Sequence, residues 1–215
     1  MNKLLSHVNP ALAIVRSRKF ALIFASFVGL LSPIALFASN SAAQENEFLS
    51  MTTLDSNMKV DEYFPNNSTI NVGDRMGWYI KVYNGMNSPE YLAVKIKILN
   101  STQTTPVDAL NRPSPSPELF EYHHLVSNNA TMTIPFEWSI LDIESHDGQL
   151  TIRNVMINGE EIDNLDISSM DGQDFRILFE LWRYNHDSED LEFEWSSSAQ
   201  NKRSVWNQIW FSVKS

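Results

Sequence analysis

The sequence has 215 residues, of which 43% are hydrophobic and 24 are aromatic (6 Trp, 6 Tyr and 12 Phe), and it contains no cysteine. This composition excludes a disordered chain and a disulfide-stapled scaffold. Residues 1–43 carry four basic side chains and no acid, whereas residues 44–215 carry 12 basic and 26 acidic side chains, a formal charge of −14. So acidic a segment disfavours nucleic acids and anionic lipid headgroups as partners.

The N-terminal segment is hydrophobic and follows a basic cluster. Residues 20–37 are uncharged, three basic residues stand directly before them, and small residues follow up to Ala43. This order is typical of a secretory signal peptide, here with a cleavage site before Gln44. The uncharged run is also long enough to span a bilayer with its basic end in the cytoplasm. We therefore predict that residues 1–43 are a signal peptide or a single-span membrane anchor and that residues 44–215 form an extracytoplasmic domain.

Apolar and polar residues alternate along the second segment with the period of two that half-buried strands require. The clearest case is residues 91–99, where four aliphatic side chains face one side and Lys95 and Lys97 the other. Residues 175–184 are apolar on both faces, which is typical of a central strand. Further strands are predicted at 69–72, 76–83, 118–126, 131–140, 150–157, 160–162, 191–195 and 205–213.

Eight to ten short strands, separated by turn signals and without a helix of three turns, predict an all-β fold. We predict an antiparallel Ig-like β-sandwich preceded by an N-terminal hydrophobic helix. The pair Asn84-Gly85 is predicted to reverse the chain between two strands. Residues 100–117 contain four prolines and are predicted as a long stiff loop outside the sheets, available for binding.

Two stretches resemble a known family. Residues 64–73 read FPNNSTINVG, and residues 78–84 read WYIKVYN. Together they resemble an uncharacterised archaeal family of envelope proteins that carry an Ig-like domain of unknown function. The resemblance implies an extracytoplasmic β-sandwich tied to a membrane, and it assigns no catalytic residues.

Four glycosylation sequons lie in the predicted domain, and those at Asn66 and Asn67 overlap. In an exported protein such sequons accept N-linked glycans. Asn67 and Asn100 fall in predicted turns and Asn129 lies between two predicted strands. These three positions are the candidate glycosylation sites.

Histidines offer one candidate metal site. His123 and His124 are adjacent, and Glu121 shares a strand face with His123 alone. A site would need a third ligand from a distant strand, with His146 and His186 as the candidates. The alternative interpretation is polar strand residues beside a turn.

Acidic residues gather in three predicted loops. Carboxylate oxygens on loops suit Ca²⁺, and extracellular modules bind it weakly. An EF-hand loop needs a glycine at its sixth position, but in loops that begin at Asp142 or Asp166 the glycine comes one residue later. The alternative is that these carboxylates are solvated and maintain solubility. We therefore predict no cofactor and no dedicated metal site beyond weak Ca²⁺ binding. The residues are Asp142, Glu144 and Asp147; Asp163, Asp166, Asp171 and Asp174; Asp187, Glu189 and Asp190.

Signatures of the common catalytic chemistries are absent from the sequence. It has no cysteine nucleophile, no Gly-x-Ser-x-Gly, no His-Glu-x-x-His and no glycine-rich phosphate loop. We therefore predict that the protein is not an enzyme. A secreted carbohydrate-active enzyme remains an alternative, because the spacing of two carboxylates in space decides glycoside hydrolysis.

Two aromatic pairs are spaced to lie along one side of a strand: Trp206 with Trp210, and Tyr79 with Tyr83. Such pairs either fill a sandwich core or form a surface for sugar rings or a protein partner. The sequence thus favours a non-catalytic module for binding or assembly at the cell envelope, with an envelope protein or a glycan as partner. A structural accessory subunit of a membrane or surface-layer complex is the alternative. A flat aromatic patch would favour assembly, and a concave cleft with two facing carboxylates would favour an enzyme.

Overall fold

The computed structural model describes residues 47–65, 67–195 and 203–214, so the predicted leader at 1–43 lies outside the described residues. Within that part of the chain, no helix has the length and hydrophobicity needed to cross a membrane. The described residues form twelve strands and one 3₁₀ turn at Asp108–Leu110. The strands are β1 (Phe48–Leu54), β2 (Thr69–Asn71), β3 (Met76–Gly85), β4 (Glu90–Leu99), β5 (Phe120–Val126), β6 (Ala130–His146), β7 (Gln149–Ile157), β8 (Glu160–Ile162), β9 (Ile167–Met170), β10 (Phe175–Asn185), β11 (Asp190–Glu192) and β12 (Val205–Lys214).

These strands form two six-stranded sheets. Sheet 1 has the order β1-β3-β6-β7-β8, with β9 also paired to β7; sheet 2 has the order β2-β12-β10-β4-β5, with β11 also paired to β10. Neighbouring strands are antiparallel except β2 and β12, which are parallel. The described residues thus form an all-β sandwich of two largely antiparallel sheets, which confirms the predicted all-β sandwich class. The prediction that residues 175–184 form a central strand is also confirmed, because β10 pairs with both β12 and β4.

Aromatic rings from both sheets meet in the core. The ring centroids of Phe136 and Phe179 are 5.3 Å apart, those of Trp138 and Phe211 are 5.2 Å apart, and both pairs are edge-to-face. Each pair joins sheet 1 to sheet 2. Such contacts contribute about 0.5–1.5 kcal/mol each beyond the burial of area, so packed rings hold the sandwich together in a chain without cysteine.

Polar side chains connect the sheets at both edges. Thr53 of β1 donates a hydrogen bond to Asn207 of β12 at 3.1 Å. At the other edge, Tyr122 of β5 donates to the carbonyl of Pro135 at 3.2 Å and accepts a hydrogen bond from Asn158. Burial raises the pKa of Tyr122 to about 12, against the hydrogen bond from Asn158. The Tyr122 hydroxyl therefore stays protonated at neutral pH.

The predicted reversal at Asn84-Gly85 is wrong, because β3 continues through both residues. The turn follows them, and Asn87 takes the left-handed conformation there with a φ of 61°. Asn84 is fully buried, and its amide donates to the carbonyls of Ser88 at 2.8 Å and Val126 at 2.9 Å. The Asn84 side chain thus fixes the β3–β4 turn against the end of β5.

Candidate binding surfaces

Residues 100–117, hereafter the proline-rich strap, lie across half of the outer face of sheet 2. The main-chain N–H of Ser114 donates to Glu180 of β10 at 2.7 Å, and its carbonyl accepts from the ammonium of Lys97 of β4 at 2.6 Å. A loop available for binding would extend freely into solvent. The strap does not, because these hydrogen bonds hold it on the sheet. It covers the second face of β10 and explains why the first seven residues of that strand are buried on both sides, including the charged residues Arg176 and Glu180.

An ion pair lies buried beneath the strap. The Lys97 ammonium is 3.0 Å from the Glu180 carboxylate, and the two side chains are 5% and 0% exposed. Glu180 also accepts from the indole of Trp182 at 3.2 Å. The strap and Trp182, which lies on the same strand as Glu180, thus supply the hydrogen bonds that two desolvated charges need.

The two predicted tryptophans flank this covered half. Trp206 donates its indole N–H to Asp108 of the strap and is only partly exposed. Trp210 is 42% exposed, and the Arg176 guanidinium lies 4.9 Å from the centre of its ring. Neither tryptophan belongs to the core between the sheets.

The other half of the same face is open and carries the aromatic strip: Tyr91, His123, Leu125, Tyr184 and His186. Tyr91 stacks on His123 with ring centroids 5.6 Å apart, and it meets the edge of Tyr184 at 6.3 Å. Tyr184 meets the edge of His186 at 5.1 Å. Leu125 of β5 lies opposite Tyr91 in register, and the two residues are 71% and 42% exposed.

Charged groups border the aromatic strip. Lys95 lies 3.0 Å from Glu118 and 3.7 Å from Glu121, and its ammonium is 4.4 Å from the centre of the Trp182 ring. His123 is 2.8 Å from Glu121. The hydrogen bond from His123 is the largest cause of a lowered pKa for Glu121; burial opposes it, and the nearby charge of Lys95 lowers the pKa further.

Metal ligands do not gather anywhere in the described ranges: no group of three or more His, Asp or Glu side chains there could hold an ion. His123 contacts Tyr91 and Glu121. His146 is the exposed last residue of β6, and its imidazole lies 3.1 Å from the carboxylate of Asp147. The predicted loop position of Asp142 and Glu144 is wrong, because β6 continues through both residues and pairs with β7 there. Glu144 and Asp166 pair with Arg153 at 2.5 and 3.1 Å. Weak binding of Ca²⁺ stays a prediction.

The two predicted tyrosines lie on the outer face of sheet 1, so they are not brought together with the tryptophans. Tyr83 packs on Phe48 with ring centroids 5.3 Å apart, and its hydroxyl donates to Asn129 at 3.1 Å. Tyr79 lines a groove beside Gly77.

The candidate glycosylation sites differ in how their side chains are engaged. Asn67 and Asn129 are exposed residues in turns, with φ values of 43° and 55°. The amide nitrogen of Asn100 instead donates to the carbonyl of Ser168 at 2.8 Å, which connects the start of the strap to β9. Glycosylation at all three positions stays a prediction.

No protein-family model and no curated protein sequence matches the chain. A CARDB domain from Pyrococcus furiosus, solved in complex with di-metal ions, is 10% identical over 80% of this chain and 97% of that chain, with a TM-score of 0.37. A β-glucosidase from Erythrobacter marinus is 9% identical over 78% of this chain and 16% of that chain, also with a TM-score of 0.37. A structural similarity this weak supports no conclusion about activity or ligand. Membership of the archaeal envelope family stays a prediction.

Proposed function

We propose that the protein is a non-catalytic Ig-like module that is exported to the cell envelope and assembles there with a partner protein through the aromatic strip. The basic, apolar segment at residues 1–43 supports export. The observation that carries the proposal is the pair Tyr91 and Leu125, which are 42% and 71% exposed side by side on the open half of the outer face of sheet 2.

The composition of the strip favours a protein partner over a sugar. Protein interfaces concentrate aromatic residues at their centre and place polar groups at the rim. The strip has this arrangement, because Tyr91 and Leu125 adjoin the ion pairs of Lys95 with Glu118 and Glu121. An exposed aliphatic side chain such as Leu125 offers a sugar ring neither a flat aromatic face nor a hydrogen bond.

Crosslinking in intact cells tests this assignment. We expect the variant Leu125→Asp to lose the crosslinked partner, because a charge placed in an apolar contact must be desolvated. Leu110→Asp is the matched control, since Leu110 is 53% exposed on the strap. Circular dichroism spectra should be unchanged in both variants. Retention of the partner by Leu125→Asp, or equal loss in both variants, would contradict the proposal, and a cytosolic location of the protein would contradict export.

A further inference from the structure

The outer face of sheet 1 contains an open groove of about 540 Å³. Its floor and walls come from Gly77 and Tyr79 of β3, from Pro135 and Glu137 of β6, and from the β7–β8 turn at Asn158. The volume falls within the range of small-molecule sites. The groove lies on the opposite sheet from the aromatic strip.

The groove exists because Gly77 leaves a gap in a row of side chains. Gly77 pairs in register with Glu137, and Tyr79 pairs with Pro135. A Cβ atom built on Gly77 would meet nothing within 4 Å. Since its φ lies outside the left-handed region, a larger residue can stand here without backbone strain, and the gap can be filled experimentally.

The groups that line the groove suit the C–H face and the hydroxyl-bearing edge of a sugar ring. The Tyr79 ring is partly exposed beside the apolar ring of Pro135. Glu137 is 61% exposed, and the guanidinium of Arg75 is 3.6 Å from its carboxylate, too far for a strong hydrogen bond. Its carboxylate can therefore accept charge-assisted hydrogen bonds from hydroxyl groups. A pyranose presents a C–H face to the aromatic ring and hydroxyl groups at its edge.

We propose that this groove binds a neutral saccharide, with one pyranose ring stacked on Tyr79 and its hydroxyls bonded to Glu137. The charge of −14 on residues 44–215 disfavours sulfated or uronic acid polymers. A peptide is the less suitable occupant, because the groove lacks the exposed aliphatic side chain that marks the aromatic strip.

Saturation-transfer NMR on the full chain tests the proposal. The probes are cellohexaose, chitohexaose and mannohexaose, and a detergent without a sugar headgroup is the control for non-specific binding. We expect transfer to at least one saccharide. Tyr79→Ala and Gly77→Leu should each weaken the binding of that saccharide by about tenfold or more. The first variant removes the aromatic ring on which the sugar stacks, and the second fills the groove.

Tyr83→Ala is the matched control, because Tyr83 lies on the same strand and face but does not line the groove. It should bind like the natural protein. No transfer to any of the three saccharides would overturn the proposal, as would unchanged affinity in Gly77→Leu with a native circular dichroism spectrum. Neither result affects the protein partner proposed for sheet 2, because the crosslinking experiment reads the opposite face.

Discussion

The two halves of the outer face of sheet 2 place similar ion pairs in different surroundings. Lys97 and Glu180 lie 3.0 Å apart with side chains 5% and 0% exposed, whereas Lys95 and Glu118 lie 3.0 Å apart with side chains 20% and 32% exposed. Both lysines point from β4 to the same face, but Lys97 lies under the strap beside the buried Glu180, whereas Lys95 lies in the open half. Burial, and not distance, therefore decides how much each carboxylate matters to stability.

Removing the buried carboxylate should have the largest effect. Glu180→Gln leaves the Lys97 ammonium buried without its counter-charge, so we expect the free energy of unfolding to fall by about 3–5 kcal/mol. Urea denaturation monitored by tryptophan fluorescence measures the change. The matched variant Glu118→Gln should lower the free energy of unfolding by no more than about 1 kcal/mol. Equal losses in the two variants would remove the distinction between the covered and open halves.

Replacing both partners of the buried pair should have an intermediate effect. In the double variant Lys97→Met with Glu180→Leu, no charge remains buried, but the N–H and C=O of Ser114 lose their partners. The two unpaired groups together cost about 2–6 kcal/mol, but replacing a buried ion pair by hydrophobic residues of similar volume is often neutral or stabilising by about 1–4 kcal/mol. We therefore expect a smaller net loss than for Glu180→Gln alone. The same urea titration decides the comparison. A larger loss in the double variant would show that the strap depends on the charges themselves.

The smallest effect should come from pH in the open half. The folded protein lowers the pKa of Glu121 below its ordinary value of 4.5, so ionised Glu121 stabilises the fold above that pH. This contribution should be lost as the pH falls from about 4.5 through the lowered value. In urea denaturation, we expect Glu121→Gln to lower the free energy of unfolding by under about 1 kcal/mol at pH 6 and to leave it unchanged in strong acid. A difference that grows on acidification would contradict the assignment.

Local periodicity predicted the longer strands because each pattern is complete within one segment. β4, β10 and β12 all lie within a residue or two of their predicted ranges. β1 was not predicted, although Leu49, Met51 and Thr53 alternate inward, because the run is short and follows the leader closely. β9 was also missed, since it buries only Ile167.

The surfaces were harder to predict because they depend on contacts between distant segments. Lys95 and Lys97 are equivalent in the sequence pattern, and only the strap and Glu180 make one of them a buried residue. Tyr91 and Leu125 become neighbours through the register of β4 with β5, whose connection contains the whole strap. Single-sequence patterns carry no information on that register.

The parallel pairing of β2 with β12 joins Thr69 to Ser212, so sheet 2 contains a contact between strands far apart in the sequence. Closing so long a loop is entropically costly before any pairing energy is gained. Domains rich in such contacts fold in about milliseconds to seconds. Of the earlier strands of sheet 2, β2 and β10 are therefore expected to remain without their full set of neighbours until β12 has been synthesised, and the completion of sheet 2 should be a late step in folding.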